Sequence, residues 1–227
     1  MKRSAELAAA PCRLCGGDEV LFFHEDAHAG GRRYDRCSTC GLVMAERASF
    51  LDWQAQREVY DLHQNSPDDP GYRLFLERIC APMLQRLPPR SHGLDFGCGP
   101  GPTLSVMFEE AGHEVALFDP IYAPRDSVLS TEYDFVTATE VFEHFQDPRA
   151  DLERIWACVK AGGLLGVMTK RVTGVEAFSS WHYRLDPTHV SFFARETLEW
   201  LADIWGATMT VLGDDAVIFE RPGVAMP

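Results

Sequence analysis

Residues 93–112 read "GLDFGCGPGPTLSVMFEEAG". An apolar run, a cluster of glycines and an amphipathic run follow one another, the pattern of strand, tight loop and helix in a parallel α/β sheet. The glycine spacing narrows the ligand. Gly97, Gly99 and Gly101 give Gly-x-Gly-x-Gly, whereas a dinucleotide fingerprint needs its third glycine one position later, where Pro102 stands; this disfavours a pyrophosphate ligand and a dinucleotide oxidoreductase. Glycines at the carboxyl end of a strand let the backbone approach a ligand with no Cβ in the way. Asp95 lies in the strand, two residues before the first glycine. The next apolar run, "EVALFDP" (114–120), ends in Asp119, eighteen residues beyond Gly101, where an acid can receive two ribose hydroxyls.

Outward from this unit the chain continues to alternate strand and helix as far as "ATMTVLGDDAVIFER" (207–221), which reads as a hairpin closing the sheet with an antiparallel edge. Only thirteen residues separate Asp119 from the strand at Tyr133, too few for a helix and a full strand, so the third strand is expected to be vestigial. Upstream, residues 50–87 are helical in two pieces, broken by "NSPDDPGY" (65–72), where Pro67, Pro70 and Gly71 forbid a continuous helix.

Near the N-terminus "HEDAH" (24–28) fits the His-Glu-x-x-His pattern of zinc proteases. That pattern requires a helix, and the flanking "VLFF" and "AGG" favour a hairpin with a polar tip, which leaves His24 and His28 spare. The hairpin is bracketed by "CRLC" and "CSTC". Cys12, Cys15, Cys37 and Cys40 form two Cys-x-x-Cys pairs, each followed by glycine. Two such turns close a tetrahedral shell, which predicts a structural zinc with no position left for water. The pairs lie in a short glycine-rich segment rather than singly at a helix start, which argues against a redox motif.

The chain has 227 residues, 46% hydrophobic content and a formal net charge of −13. That length allows one substantial core and a small module. The charge repels phosphate backbones, and "GGRRYDR" (30–36) is the one basic stretch, so a nucleic-acid partner is not expected. No apolar run reaches the roughly 20 residues a bilayer needs, and no signal peptide is recognisable. The seven cysteines are distributed as in a protein of the reducing cytoplasm. Oligomeric state is not encoded in any feature found.

Four stretches in order, "LDFGCGPG" (94–101), "LFDP" (117–120), "YDFVTATEVFEHF" (133–145) and "LERIWACVKAGGLLGVMT" (152–169), resemble those of class I S-adenosylmethionine-dependent methyltransferases. The resemblance covers about residues 91–221. It implies that the loop through Gly97, Cys98, Gly99 and Gly101 cradles the methionine part of the cofactor, with Asp95 near its ammonium. Asp119 would hold the ribose, and Glu140 would stand at the mouth shared by cofactor and substrate. It names no adenine-binding residue, so the "YDLHQNSPDDPGY" connector is a candidate to fold over the nucleotide. Glu143 and His144 are expected to begin a helix facing solvent.

If this is the cofactor, the chemistry needs an aligned nucleophile and, for a hydroxyl, a base. The segment from Lys170 to Ala202, after the fifth strand, carries two histidines. His189, oriented by Asp186, is the first candidate base and His182 the second, because imidazole titrates near neutrality. Phe192 and Phe193 read as core. The expected architecture is a Rossmann-like methyltransferase sheet bearing an N-terminal zinc ribbon: ribbon 1–48, helical connector or lid 49–90, core 91–227. The expected function is methyl transfer to a small molecule such as a secondary metabolite or sugar. The alternative is a non-catalytic cofactor-binding module whose ribbon docks a protein partner.

Overall fold

Strand alternation decides which face of the sheet each apolar side chain serves. In the strand "YDFVTAT", Phe135 packs with one group of helices and Val136 with the other, and Leu164/Leu165 and Ile218/Val217 divide the same way. This is the pattern of a sheet covered on both sides. The computed structural model describes residues 10–27, 31–62 and 65–223; His28 of the 24–28 motif and His63 and Gln64 of the connector lie outside them.

The strands are β1 (Val20–Asp26), β2 (Arg32–Cys37), β3 (Val43–Ala45), β4 (His92–Phe96), β5 (Glu114–Phe118), β6 (Tyr133–Thr139), β7 (Val159–Met168), β8 (Ser191–Phe192), β9 (Thr208–Leu212) and β10 (Ala216–Glu220). The helices are α1 (Trp53–Tyr60), α2 (Pro70–Leu84), α3 (Thr103–Glu110), α4 (Pro148–Ala157), α5 (Val175–Ser179) and α6 (Arg195–Trp205). The main sheet runs β5-β4-β6-β7-β10-β9. Strands β4 to β7 are parallel, and β10 is antiparallel to both of its neighbours. Between β5 and β6 the chain makes a 3-10 turn at Asp126–Ser130 and adds no strand to the sheet, as the short spacing required.

Leu76, Ile79 and Met83 of α2 join Leu104, Met107 and Phe108 of α3 over one face of the sheet. Leu152 and Ile155 of α4 join Leu198 and Leu201 of α6 over the other. Asp69 caps α2 through the amides of Gly71 and Tyr72, with Pro70 in the first turn where its missing N–H costs nothing.

The N-terminal sheet has the order β1-β2-β3-β8. Its fourth strand comes from the segment after β7: Val43 pairs with Phe192 and Met44 with Ser191. Tyr34, Val43 and Ala45 of the ribbon share a core with Val172, Phe178, Tyr183 and Phe192. The contact is also ionic. Asp26, at the end of β1, pairs with Arg184, both almost fully buried. Arg184 Nε also donates to the Phe178 carbonyl (2.9 Å). The basic stretch faces inward or is neutralised: Arg32 donates to Ser49 Oγ and to the Asp186 and His189 carbonyls, Arg33 pairs with Asp35 and Arg36 with Glu196.

Removing one partner of a buried ion pair strands the other charge, at a cost of about 3–5 kcal/mol. Asp26→Ala is therefore expected to lower unfolding free energy by about that amount in urea denaturation; a loss under about 1 kcal/mol would show that Arg184 finds other acceptors.

Candidate functional site

Open α/β sheets bind ligands beyond the carboxyl ends of their strands. Here the ends of β4, β5 and β6 border a cavity of about 820 Å³, lined by the 97–101 loop, Asp119, Glu140 and residues of the connector. The Gly97 and Cys98 amides donate to the Phe118 carbonyl (2.7 and 3.2 Å), folding the loop over the end of β5. Gly99 has φ +64°, and a Cβ there would project into open space. Gly101 serves a different purpose: a Cβ would lie 2.0 Å from the Asn65 carbonyl oxygen. Gly99 leaves room for a ligand, whereas Gly101 leaves room for the connector.

Asp95 is buried against Thr137, whose hydroxyl donates to Oδ1 (2.7 Å). Burial pushes the Asp95 carboxyl up to about 7. Asp119 accepts three backbone N–H groups, from Gly99 at Oδ2 (3.1 Å) and from Ile121 and Tyr122 at Oδ1 (2.8 and 2.9 Å). A carboxylate offers about four lone-pair sites, which leaves about one for a hydroxyl rather than the two expected from sequence. Glu140 is left-handed, with φ +53°, a strained state that costs a non-glycine residue about 1 kcal/mol or more and clusters at functional sites. Its Oε2 is 3.4 Å from the Tyr183 hydroxyl, which donates to it, and its buried Oε1 has no hydrogen-bond partner. Burial, then the neighbouring Glu143, raise this carboxyl to about 8.

Asp95, Gly97, Cys98, Gly99, Gly101, Asp119, Glu140, Asp186 and His189 all line the cavity. His182 does not; it is exposed, with Nε2 3.4 Å from Lys170 Nζ. His189 is buried, and its Nδ1 lies 2.7 Å from the Tyr183 carbonyl oxygen. A carbonyl can only accept, so Nδ1 carries the hydrogen and Nε2 keeps its lone pair. Burial, then the neighbouring His144, lower the His189 pKa to about 4. Asp186 does not orient this ring by a hydrogen bond. Its Oδ1 is occupied by the Thr188 amide and hydroxyl, and its Oδ2 is 3.8 Å from Nε2; the Tyr183 carbonyl takes the orienting role. Phe192 and Phe193 are core.

The expectation that Glu143 faces solvent is overturned. Residues Phe142–His144 form a 3-10 turn rather than a helix start, and Glu143 is fully buried with Oε2 accepting from Thr169 Oγ1 (2.8 Å). The Val190 amide donates to the Glu143 carbonyl (2.8 Å), tying the turn to the loop after β7. Sequence gave no sign of this, because a three-residue turn has no periodicity to read. The connector also lines the cavity through Gln56, Tyr60, Asn65, Tyr72 and Phe75.

The four ribbon cysteines converge, with Cys12 Sγ 3.6 Å from Cys40 Sγ and Cys15 Sγ 3.4 Å from Cys37 Sγ. No disulfide joins any of the seven cysteines. Zinc–sulfur bonds of about 2.3 Å in a tetrahedron put sulfurs about 3.8 Å apart, so the four donors fit zinc. The Leu14 and Gly17 amides donate to Cys12 and Cys15 Sγ (both 3.4 Å). Arg149 of α4 donates to the Leu14 carbonyl (2.8 Å), fastening this knuckle to the core.

Residues 71–210 match a family described as a methyltransferase domain. No curated protein matches. Among solved structures, the chain is similar to a Burkholderia thailandensis 1,6-didemethyltoxoflavin-N1-methyltransferase holding 1,6-didemethyltoxoflavin and S-adenosylhomocysteine, with a TM-score of 0.50, 14% identity, and coverage of 89% of this chain and 99% of that one. It is similar also to a possible exported protein from Bordetella parapertussis, with a TM-score of 0.50, 14% identity and coverage of 77% and 81%. A third similarity, with a TM-score of 0.43 and 15% identity over 74% and 95%, is to a possible histamine N-methyltransferase from Thermotoga maritima. At these identities the likeness is one of fold. No described helix is long and apolar enough to cross a membrane.

Metal analysis of the purified protein is expected to find one zinc per chain at the cysteine cluster, lost in a Cys37→Ser Cys40→Ser variant. Full zinc retention in that variant would refute the site.

Proposed function

The chain belongs to the methyltransferase-domain family, and on that ground we propose that it transfers a methyl group from S-adenosylmethionine to a small-molecule acceptor. The observation that carries this reading is the open face at Gly99 beside Asp95 and Asp119, all on one cavity. S-adenosylmethionine, when bound, supplies an electrophilic sulfonium methyl. The backbone at Gly99 leaves its approach clear, and the remaining acceptor site on Asp119 suits one ribose hydroxyl. Asp95, its carboxyl raised by burial, is drawn back to the ionised form by an ammonium beside it. Of the connector residues that line the cavity, Tyr60 packs edge to face on His144 with centroids 5.2 Å apart, and Tyr72 lines the same space.

His189 takes the acceptor's proton at Nε2, since Nδ1–H is committed to the Tyr183 carbonyl. Asp186 Oδ2, 3.8 Å away, stabilises the protonated ring. His182 has no such role. A cavity of about 820 Å³ is in the range that encloses small ligands, and the net charge of −13 disfavours a polyanionic acceptor. The acceptor is therefore a small molecule with a nucleophilic oxygen, nitrogen or carbon.

Calorimetric titration with S-adenosylmethionine and with NAD tests the cofactor: binding of the first and not the second is expected. Asp119→Ala is expected to weaken S-adenosylmethionine binding by about 1.5–3 kcal/mol, the range for losing a charged hydrogen-bond partner; equal affinity would remove the ribose assignment. With an acceptor in hand, His189→Ala is expected to lower turnover by about 10² to 10⁴ while cofactor affinity holds, and His182→Ala to leave both unchanged. Should turnover survive the loss of His189, that residue is not the base.

A further inference from the structure

We propose that Glu143, His144 and His189 form a second metal site, separate from the cysteine cluster, which takes a divalent first-row transition cation at the acceptor end of the cavity. One donor atom from each of the three lies within 4.8 Å of the others. Glu143 Oε1 is 4.0 Å from His144 Nε2, and the two imidazole rings stand edge to face with centroids 4.7 Å apart. All three residues line the cavity.

Two independent features point to a cation. Glu143 is fully buried, and while Oε2 is held by Thr169, Oε1 has no hydrogen-bond donor. Among the described residues no lysine or arginine pairs with its carboxylate, leaving a buried acceptor unsatisfied, which proteins rarely tolerate. Second, the His189 Nδ1–H is fixed on a backbone carbonyl. This is the support that metal-ligating histidines usually have, since it sets the tautomer and aims the Nε2 lone pair. Asp186, with Oδ2 3.8 Å from His189 Nε2, adds negative charge beside the site, and Glu140 adds a second buried oxygen, Oε1, that has no hydrogen-bond partner.

The donor set separates this site from the ribbon. Two imidazole nitrogens and a carboxylate oxygen suit Mn²⁺, Fe²⁺, Co²⁺ or Zn²⁺, whereas four thiolates select zinc. Three protein ligands leave coordination positions facing the cavity, open to water or to an acceptor oxygen. Cation binding does not depend on the methyl-transfer reading; the step from cation to acceptor does rest on it. With the cation in place, the Nε2 lone pair goes to the metal, so His189 then serves as a ligand in place of the base, and an acceptor hydroxyl ligated there loses its proton to solvent more readily. The acceptor class this favours is a hydroxyl-bearing molecule.

Mn²⁺, which thiolates hold poorly, is the probe. It is titrated into the zinc-loaded full chain while free Mn²⁺ is followed by electron paramagnetic resonance. One Mn²⁺ per chain is expected, with affinity falling at least about tenfold in Glu143→Gln and in His144→Ala, as for loss of a metal ligand, while the ribbon keeps its zinc. Glu143→Gln keeps the side chain's shape and His144 lies at the cavity wall, so the two variants test the site without sharing a folding risk. Absence of stoichiometric Mn²⁺, or unchanged affinity in both variants, overturns the site. S-adenosylmethionine titrations on the same samples keep the readings apart: cofactor binding without Mn²⁺ binding overturns only the metal site, and Mn²⁺ binding without cofactor binding overturns only the methyl-transfer reading.

Discussion

Two consecutive carbonyl groups join the two halves of the molecule. Arg32 Nη2 donates to the His189 carbonyl at 2.5 Å, and Arg13 Nη2 donates to the Val190 carbonyl at 2.7 Å. Both guanidinium groups come from the ribbon, and both are largely withdrawn from water; burial lowers Arg13 to about 10. A charge in that position must be met by acceptors or the fold loses several kcal/mol. The Ala45 amide adds a third bond to Val190 at 3.0 Å, from which the strand pairing of β3 with β8 continues. The long segment after β7, whose ordering would otherwise cost much conformational entropy, is thus pinned at the residue that faces the cavity.

The remaining walls follow from this constraint. With Val190 fixed, its amide reaches the Glu143 carbonyl and closes the 3-10 turn after β6. The turn in turn holds the left-handed Glu140, whose amide bonds the Met168 carbonyl at 2.8 Å. The opposite wall is built by the connector, where the Asn65 backbone rests on Gly101. A glycine loop, a connector and a ribbon-held segment meet around one cavity, and only the first belongs to the sheet itself. The cysteine cluster, although distant in sequence from the cavity wall at His189 and Val190, is tied to it through Arg13, which stands between Cys12 and Cys15 in the chain and donates to the Val190 carbonyl.

Sequence carried the sheet well because its signals are local. Glycine spacing located the loop at 97–101, and the thirteen residues after Asp119 foretold the missing strand. The paired Cys-x-x-Cys turns located the ribbon. The candidate site was legible only in part. Asp95, Gly99, Asp119 and His189 carry motif positions, but the burial of Glu143, the Tyr183 carbonyl behind His189 and the inward turn of Arg32 depend on contacts far apart in the chain. Arg32 and His189 are separated by 157 positions, and no periodicity or propensity encodes such a pairing. Asp119 illustrates the limit, since only the folded loop reveals how many of its lone pairs are already in use.

The coupling of ribbon to cavity is tested most directly by hydrogen exchange of the peptide spanning residues 182–193, measured in the zinc-loaded protein and after chelation. If the ribbon pins this segment, removing zinc should raise exchange there together with residues 12–45, while β4 to β7 stay protected. Faster exchange in the ribbon alone, with 182–193 unchanged, would contradict the account and show that the segment is held by the sheet.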